Sequence, residues 1–449
     1  MTERACDPDT TVATLENGAR VVAISLPHLD SASVSVFVRT GSGHESARLN
    51  GISHFAEHMA FKGTHERDCH RINLDAERLG AEVNAHTDKD HTAYHMRGLA
   101  RHAGQFVQML GDIVRNSTFP EAELERERQV ILHEFTEDED DAMATAYKLF
   151  DTLCFDAHPI AQPVIGNRRN IKRFTRAELL DYVQRQYTAA NVVVGVAGKI
   201  DAEAIVDAAQ AAFGALPRGN PNVVAAPVYV GGIKTRRQAG SSQSHVVLGF
   251  PIPALKDDYH PSVVAAALFG EGMSSPLMEQ IRERRGLVYY AACSADVFDL
   301  CGQFVIEAST VPEHLDEFFV EVARLLAAHA GAIDAVGLER ARNQIAVKSL
   351  RAQEQPFRRL EDAAQDLFVH GRVRSRGEVM ARIEAVTAEQ VRAEFARMLA
   401  QPAAVAVAGK VGNGVRERVG ELIAAAGLRT QVQAARRRLV DRPRRRPVT

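Results

Sequence analysis

The chain has 449 residues, 46% of them hydrophobic and 25% charged, with a formal net charge of −3. That length carries roughly two to four domain-sized cores, and the near-neutral balance excludes a whole-molecule cationic footprint for nucleic acid. Five cysteines without CxxC spacing argue against a disulfide framework or a cysteine zinc site, and the absence of an apolar run of about 18 residues or a basic leader argues against a membrane span or export signal; a cytoplasmic protein is expected.

In chain order, "TVATL" and "ARVVAISL" predict two strands around Glu16-Asn17-Gly18, because Asn-Gly favours a tight hairpin turn. "SASVSVFVRTG" predicts a third strand, and residues 49 to 61 switch to a helical period. Residues 81 to 98 read as two strands around a polar turn, 101 to 116 and 119 to 135 as helices. "NVVVGVAGK" (191 to 199) and 201 to 216 then read as a strand and a helix. The segment "PRGNPNVVAAP" (217 to 227) is the best linker in the chain. After it the pattern restarts with "SHVVLGF" (244 to 250), "HPSVVAAALFG" (260 to 270) and a terminal strand and helix within 403 to 426. "VGVAGK" at 194 is echoed by "VAVAGK" at 405, an offset of 405 − 194 = 211, so a duplicated unit of that size is the economical reading. The expected domains are 1–216, a linker at 217–227, a second copy at 228–428 and a basic tail at 429–449. That tail ends in "RRRLVDRPRRRPVT", read either as a disordered extension or as a contact for an acidic partner.

The chemistry concentrates in "GISHFAEHMAF". On a helical wheel Phe55, Ala56 and Met59 share one side with Ile52, while His54, Glu57 and His58 fall on the other. Histidines at i and i+4 can bind one ion from the same side, with Glu57 beside them to handle a proton; two histidines on a solvated helix face are the alternative. In "FPEAELERERQVILHEF" (119 to 135), Glu127 and Glu134 lie two turns apart on the apolar side. A carboxylate there is costly unless it meets a cation or hydrogen-bond donors. Glu134 as third ligand with Glu127 orienting a ligand satisfies that demand, as does a pair bonded to arginine or backbone at a helix junction. At an offset of 262 − 54 = 208 the second copy carries Ser262, Ala265 and Ala266, so the scaffold itself does not call for the polar set. Two imidazoles and a carboxylate suit Zn²⁺ with an open fourth position, and peptide hydrolysis is the natural reaction. His86, His91 and His95 also lie close in sequence and could suggest a second metal site, but strand spacing does not converge them on one point, and hydrogen-bonding or solvent roles are expected. The acidic run at 134 to 142 reads as a solvated helix end.

"HFAEHMAFKGT", "VNAHT", "ERERQVILHE" and "IRERRGLVYY" together resemble the successive signatures of the pitrilysin, or inverzincin, metallopeptidases, specifically the small two-domain branch similar to mitochondrial processing peptidase subunits and bacterial relatives. The separation 134 − 58 = 76 between second histidine and glutamate fits that family. The resemblance implies one Zn²⁺ per chain held by His54, His58 and Glu134, with Glu57 as general base and Glu127 supporting a ligand. It further implies that Asn84 and Ala85 lie on an edge strand that pairs with an extended peptide, and that Arg282 and Tyr289 hold substrate and stabilise an oxyanion. From the residues alone, Arg282 reads as a surface charge. The implied fold is α+β: two similar domains, each a mostly antiparallel sheet with helices on one side, closing as a clamshell dimer around a chamber. A homodimer with active sites built in trans is implied, and a heterodimer with a related subunit is the other arrangement. The implied function is a zinc endopeptidase acting on unfolded peptides or presequence-like segments. A maturation protease for one precursor and a non-catalytic peptide-binding or assembly subunit are the alternatives.

Overall fold

The computed structural model describes residues 2–4, 7–425 and 427–429; the basic run from Arg436 onward, and all of 430–449, lie outside the described residues. The chain is α+β, with two mixed sheets flanked by helices.

The first sheet comprises β1 (Thr2–Arg4), β2 (Thr10–Thr14), β3 (Arg20–Ser25), β4 (Ser31–Val38), β5 (Glu82–Thr87), β6 (Thr92–Leu99) and β7 (Val192–Gly198), in the order β1-β2-β3-β7-β4-β6-β5. Only β3 and β7 run parallel; the other neighbours are antiparallel. The predicted hairpin forms between β2 and β3, with Gly18 at φ +98°. Strand alternation sorts the side chains. Val21, Ala23, Val34, Val36, Val194 and Val196 enter one core, whereas Val22, Ile24, Phe37, Val193 and Ala197 enter another on the opposite face.

Strands apolar on both faces require cover on both, and here the expectation of helices on one side is corrected. The first face is covered by α1 (Ile52–Ala60) and the helix Ala103–Asn116, among others. The opposite face is covered by a helix from the second half of the chain, Pro356–His370, whose Leu360, Ala363, Ala364 and Leu367 are buried against Val22, Phe37 and Ala93. The compact unit built on this sheet therefore comprises residues 1–137, 162–225 and 347–381.

The second sheet comprises β8 (Gly232–Arg237), β9 (Ser244–Ile252), β10 (Val288–Val297), β11 (Gly302–Thr310) and β12 (Ala404–Gly409), in the order β10-β11-β9-β12-β8. Strand for strand this repeats β5-β6-β4-β7-β3, including a single parallel pair, β12 with β8. One face is covered by a helix from the first half, Ala142–Phe155, through Ala146, Phe150, Leu153 and Cys154. Among the described residues, its unit comprises 138–161, 226–346 and the chain from 382 to 429. Each half of the sequence thus contributes one whole α-helix to the unit of the other, and residues 217–231 between the halves form no helix or strand.

Candidate metal and catalytic site

The site lies in the first unit. Helix α1 starts at Gly51, whose φ of +96° is open to glycine; a Cβ there would stand 2.8 Å from Gly166 Cα. No side chain of α1's own N-cap satisfies the first turn. Instead the buried Glu45 carboxylate accepts from the Gly51 and Ser53 amides, both at 2.8 Å, and from Asn50 Nδ2 at 3.1 Å. Ile52, Phe55, Ala56 and Met59 are buried against the sheet, leaving His54, Glu57 and His58 partly exposed on the other side, as the wheel predicts.

Helix α2 (Glu121–Asp140) supplies the carboxylates. Leu124 and Ile131 are buried, and Arg128, also buried, sets its guanidinium over the Phe55 ring at 5.5 Å while donating to the Phe174 and Ile171 carbonyls. That cation fixes α2 against the back of α1. Glu127 and Glu134 consequently meet the histidines. Nitrogens of His54 and His58 and an oxygen of Glu134 all lie within 4.8 Å of one another. His54 Nε2 is 3.8 Å and His58 Nε2 3.5 Å from the same Glu134 Oε2, and the imidazole rings stand edge to face at 4.6 Å. On its other side His58 Nδ1 bonds Glu127 Oε2 at 3.0 Å, and Lys62 Nζ reaches Glu127 Oε1 at 2.7 Å. Thr87 at the end of β5 donates to Glu57 Oε2 at 2.5 Å.

The electrostatics follow from burial and these partners. Burial, then the neighbouring His58, pushes His54 down to about 3, so it is neutral near pH 7. Burial alone would depress His58 too, but its bond to Glu127 and the charges of Glu134 and Glu57 outweigh that and raise it. Burial raises Glu57 despite the Thr87 bond, the direction a general base needs. Burial also acts to raise Glu127, yet His58 and Lys62 together hold it below the ordinary carboxylate range.

β5 is the outermost strand of its sheet. Its Ala85 amide donates to Asn84 Oδ1 at 2.8 Å, so that amide is met by a side chain. Arg282 and Tyr289 belong to the second unit. Arg282 lies in a short helical segment, Met278–Glu283, its Nη1 3.7 Å from Met273 Sδ, and Tyr289 near the start of β10 is 81% exposed. The adjacent Tyr290 instead bonds Glu307 at 2.5 Å, which with burial raises its hydroxyl to about 12.

Glu45, Lys62 and Thr87 escaped sequence reasoning. Lys62 lies just past the end of α1, so helical spacing does not place it, and Glu45 and Thr87 reach the site from other elements. The structure also brings together a group the strand period does not predict: His86 and His91 with Glu361 of the helix Pro356–His370. His95 lies beside His86, their ring centroids 5.9 Å apart.

Two family descriptions match in succession: "Insulinase (Peptidase family M16)" over residues 20–167 and "Peptidase M16 inactive domain" over 173–345. An uncharacterized zinc protease from Mycobacterium tuberculosis is 33% identical over 413 residues, covering 89% of this chain and 93% of that protein. The chain belongs to the M16 peptidase family. A second relative in M16, an uncharacterized zinc protease from Rickettsia felis, is 30% identical over 383 residues, covering 85% of this chain and 92% of that protein. The M16 fold is also matched by a peptidase M16 inactive domain from Pseudomonas fluorescens, with a TM-score of 0.80 and 21% identity over 90% of this chain and 99% of that one. Within M16, the stretch matched by the "inactive domain" description includes Ser262, Ala265 and Ala266, where the first half carries His54, Glu57 and His58. Among the described residues, no helix is long and apolar enough to cross a membrane.

Proposed function

We propose that the chain is a zinc-dependent endopeptidase in which His54, His58 and Glu134 hold the ion and Glu57 is the general base. The observation that carries this reading is the convergence of three ligand atoms within 4.8 Å, in the one copy of the duplicated unit that has them. The donor set fits zinc. Two ligands each about 2.0–2.1 Å from one tetrahedral ion stand about 3.4 Å apart, close to the 3.5 and 3.8 Å observed and too long for good hydrogen bonds. Glu127 on His58 Nδ1 is the outer carboxylate that fixes a ligating imidazole's tautomer.

Zinc held there would acidify a water and polarise the scissile carbonyl. Glu57 takes the water's proton as oxygen bonds to the carbonyl carbon, then delivers it to the amine as the C–N bond breaks. Thr87 pins Oε2 of that carboxylate and keeps it beside the histidines. The free edge of β5 receives an extended peptide, which displaces Asn84 Oδ1 from the Ala85 amide. Arg282 and Tyr289 fit the oxyanion and substrate-holding role through their accessible positions in the second unit. Because one chain carries both sets, a homodimer with active sites built in trans, enclosing unfolded or presequence-like peptides in a chamber, is the assembly this reading favours.

The test is metal analysis joined to cleavage of a panel of unstructured peptides, comparing the native chain with Glu57→Gln. A chain that purifies without zinc, and whose cleavage survives the substitution, sinks the reading. Sedimentation tests the assembly: a strictly monomeric, inactive chain points instead to a heterodimer with a related subunit.

A further inference from the structure

His86, His91 and Glu361 offer two imidazole nitrogens and one carboxylate oxygen, all within 4.8 Å of one another. They come from three places: β5, the turn between β5 and β6, and the helix Pro356–His370 that crosses the opposite face of the sheet. Along β5 the faces alternate. Thr87 reaches Glu57 on the α1 side, while His86 pairs in register with Ala93, which is buried in the core under Pro356–His370. The two clusters therefore occupy opposite faces of one edge strand.

A simple ion pair does not account for the second cluster. His86 Nε2 stands 3.5 Å from Glu361 Oε1, at the outer limit of a hydrogen bond and close to the ligand spacing of the first site. Arg358 holds the other oxygen, Glu361 Oε2, at 2.7 Å, so Oε1 is the one left facing the imidazole. His91 is only 4% exposed, and its Nε2 has no hydrogen-bond partner among the described residues. A buried ring nitrogen without a partner, next to a second imidazole and a carboxylate, is the arrangement a cation completes. Phe357 packs against the His86 ring at 5.9 Å and limits its swing. A cavity of about 660 Å³, bounded in part by Asn84, His95, Phe357 and Arg358, lies along the same strand, lined by neighbours of the cluster rather than by its three ligands.

We propose that His86, His91 and Glu361 form a second site for a divalent metal ion, separate from the His54, His58 and Glu134 set. The two-nitrogen, one-oxygen donor set selects Zn²⁺ or a similar late first-row ion such as Co²⁺ over the all-oxygen preference of Ca²⁺ or Mg²⁺. Bound there, the ion clamps the edge strand and its turn to Pro356–His370, one residue from the threonine that holds Glu57.

The test titrates Zn²⁺ into chelator-stripped full-length chain and counts equivalents, with Co²⁺ absorption as a second readout. Two equivalents are expected for the native chain, one for His86→Asn, one for His58→Asn and none for the double variant. The variants keep the two sites distinguishable: a single ion lost on His86→Asn but kept on His58→Asn supports this site and defeats the proposed catalytic one. A single ion unaffected by His86→Asn, two ions unaffected by it, or no ion at all overturns the second site. Glu361→Gln, a milder change for use if His86→Asn does not fold, is expected to weaken the second Zn²⁺ by about tenfold or more; unchanged affinity there likewise overturns the proposal.

Discussion

The two units place a helix at the same point in the chain, after matching strands, and give it opposite surfaces. In the first, α1 buries Ile52, Phe55, Ala56 and Met59 and turns His54, Glu57 and His58 outward to meet α2. In the second, the helix His260–Gly270 is buried through Ser262 and Val264–Phe269, and Ser262 is capped by the Glu394 carboxylate. The helix that follows at the position of α2, Ala335–Gln353, carries Arg340, which donates to the Leu268 carbonyl at 2.6 Å, where α2 carries Glu127 and Glu134. A duplicated scaffold that closes in one copy without the polar set shows that folding does not require it. Two histidines and three carboxylates gathered in the other copy are an addition to that scaffold, and the proposed metal site accounts for them.

Making the first copy resemble the second should break function first. Glu57→Ala, which installs the residue found at 265, is expected to lower kcat by about 10²–10⁴ while leaving bound zinc at its native level. Peptide cleavage and metal content together check this; loss of zinc along with activity would assign Glu57 to ion binding. Next come the exchanged helices, which should be equally indispensable. Phe150→Ala, in the second unit, is expected to cost about 3–5 kcal/mol, and Leu360→Ala, in the first, about 2–5 kcal/mol, because both are fully buried. Chemical denaturation followed with a probe in each unit should show each substitution lowering the transition of its own unit. A loss confined to the other unit would break the correspondence. Smaller again, Glu127→Gln is expected to weaken zinc by about 10–100-fold through His58, read by competition with a chelator.

The parts of this architecture that were legible in the sequence are those fixed by local period. The apolar runs of β3, β4 and β7, the Asn17-Gly18 turn and the two faces of α1 follow from local pattern, as does the inward placement of Glu127 on α2. What depends on distant closure was not. Glu45 serves a helix whose own cap residue is glycine, Thr87 finds Glu57 only when β5 takes its place at the sheet edge, and the helix that covers the second face comes from the other half of the chain. The same exchange brings Glu361 to His86, 361 − 86 = 275 positions away, which no window along the sequence can see. His86 and His91 do not converge by strand period; the turn at 88 to 91 reverses the chain and folds His91 back.

The smallest expected effect separates the units by pH. In the second unit, His329 lies between Phe269 and Phe395, at 5.5 and 5.3 Å, and burial lowers its pKa although Nδ1 bonds the Leu325 carbonyl at 2.7 Å. The folded unit therefore favours the neutral ring. For a group whose folded pKa lies below its unfolded value, the contribution to stability is present above the ordinary histidine range and is lost as pH falls through the folded value. Acidification from pH 7 should thus lower the second unit's transition midpoint, and His329→Gln should flatten that slope without moving the first unit's. If the slope survives His329→Gln, the titration belongs elsewhere; His245, whose pKa burial also lowers and which bonds Ser309 at 3.0 Å, is the next group to replace.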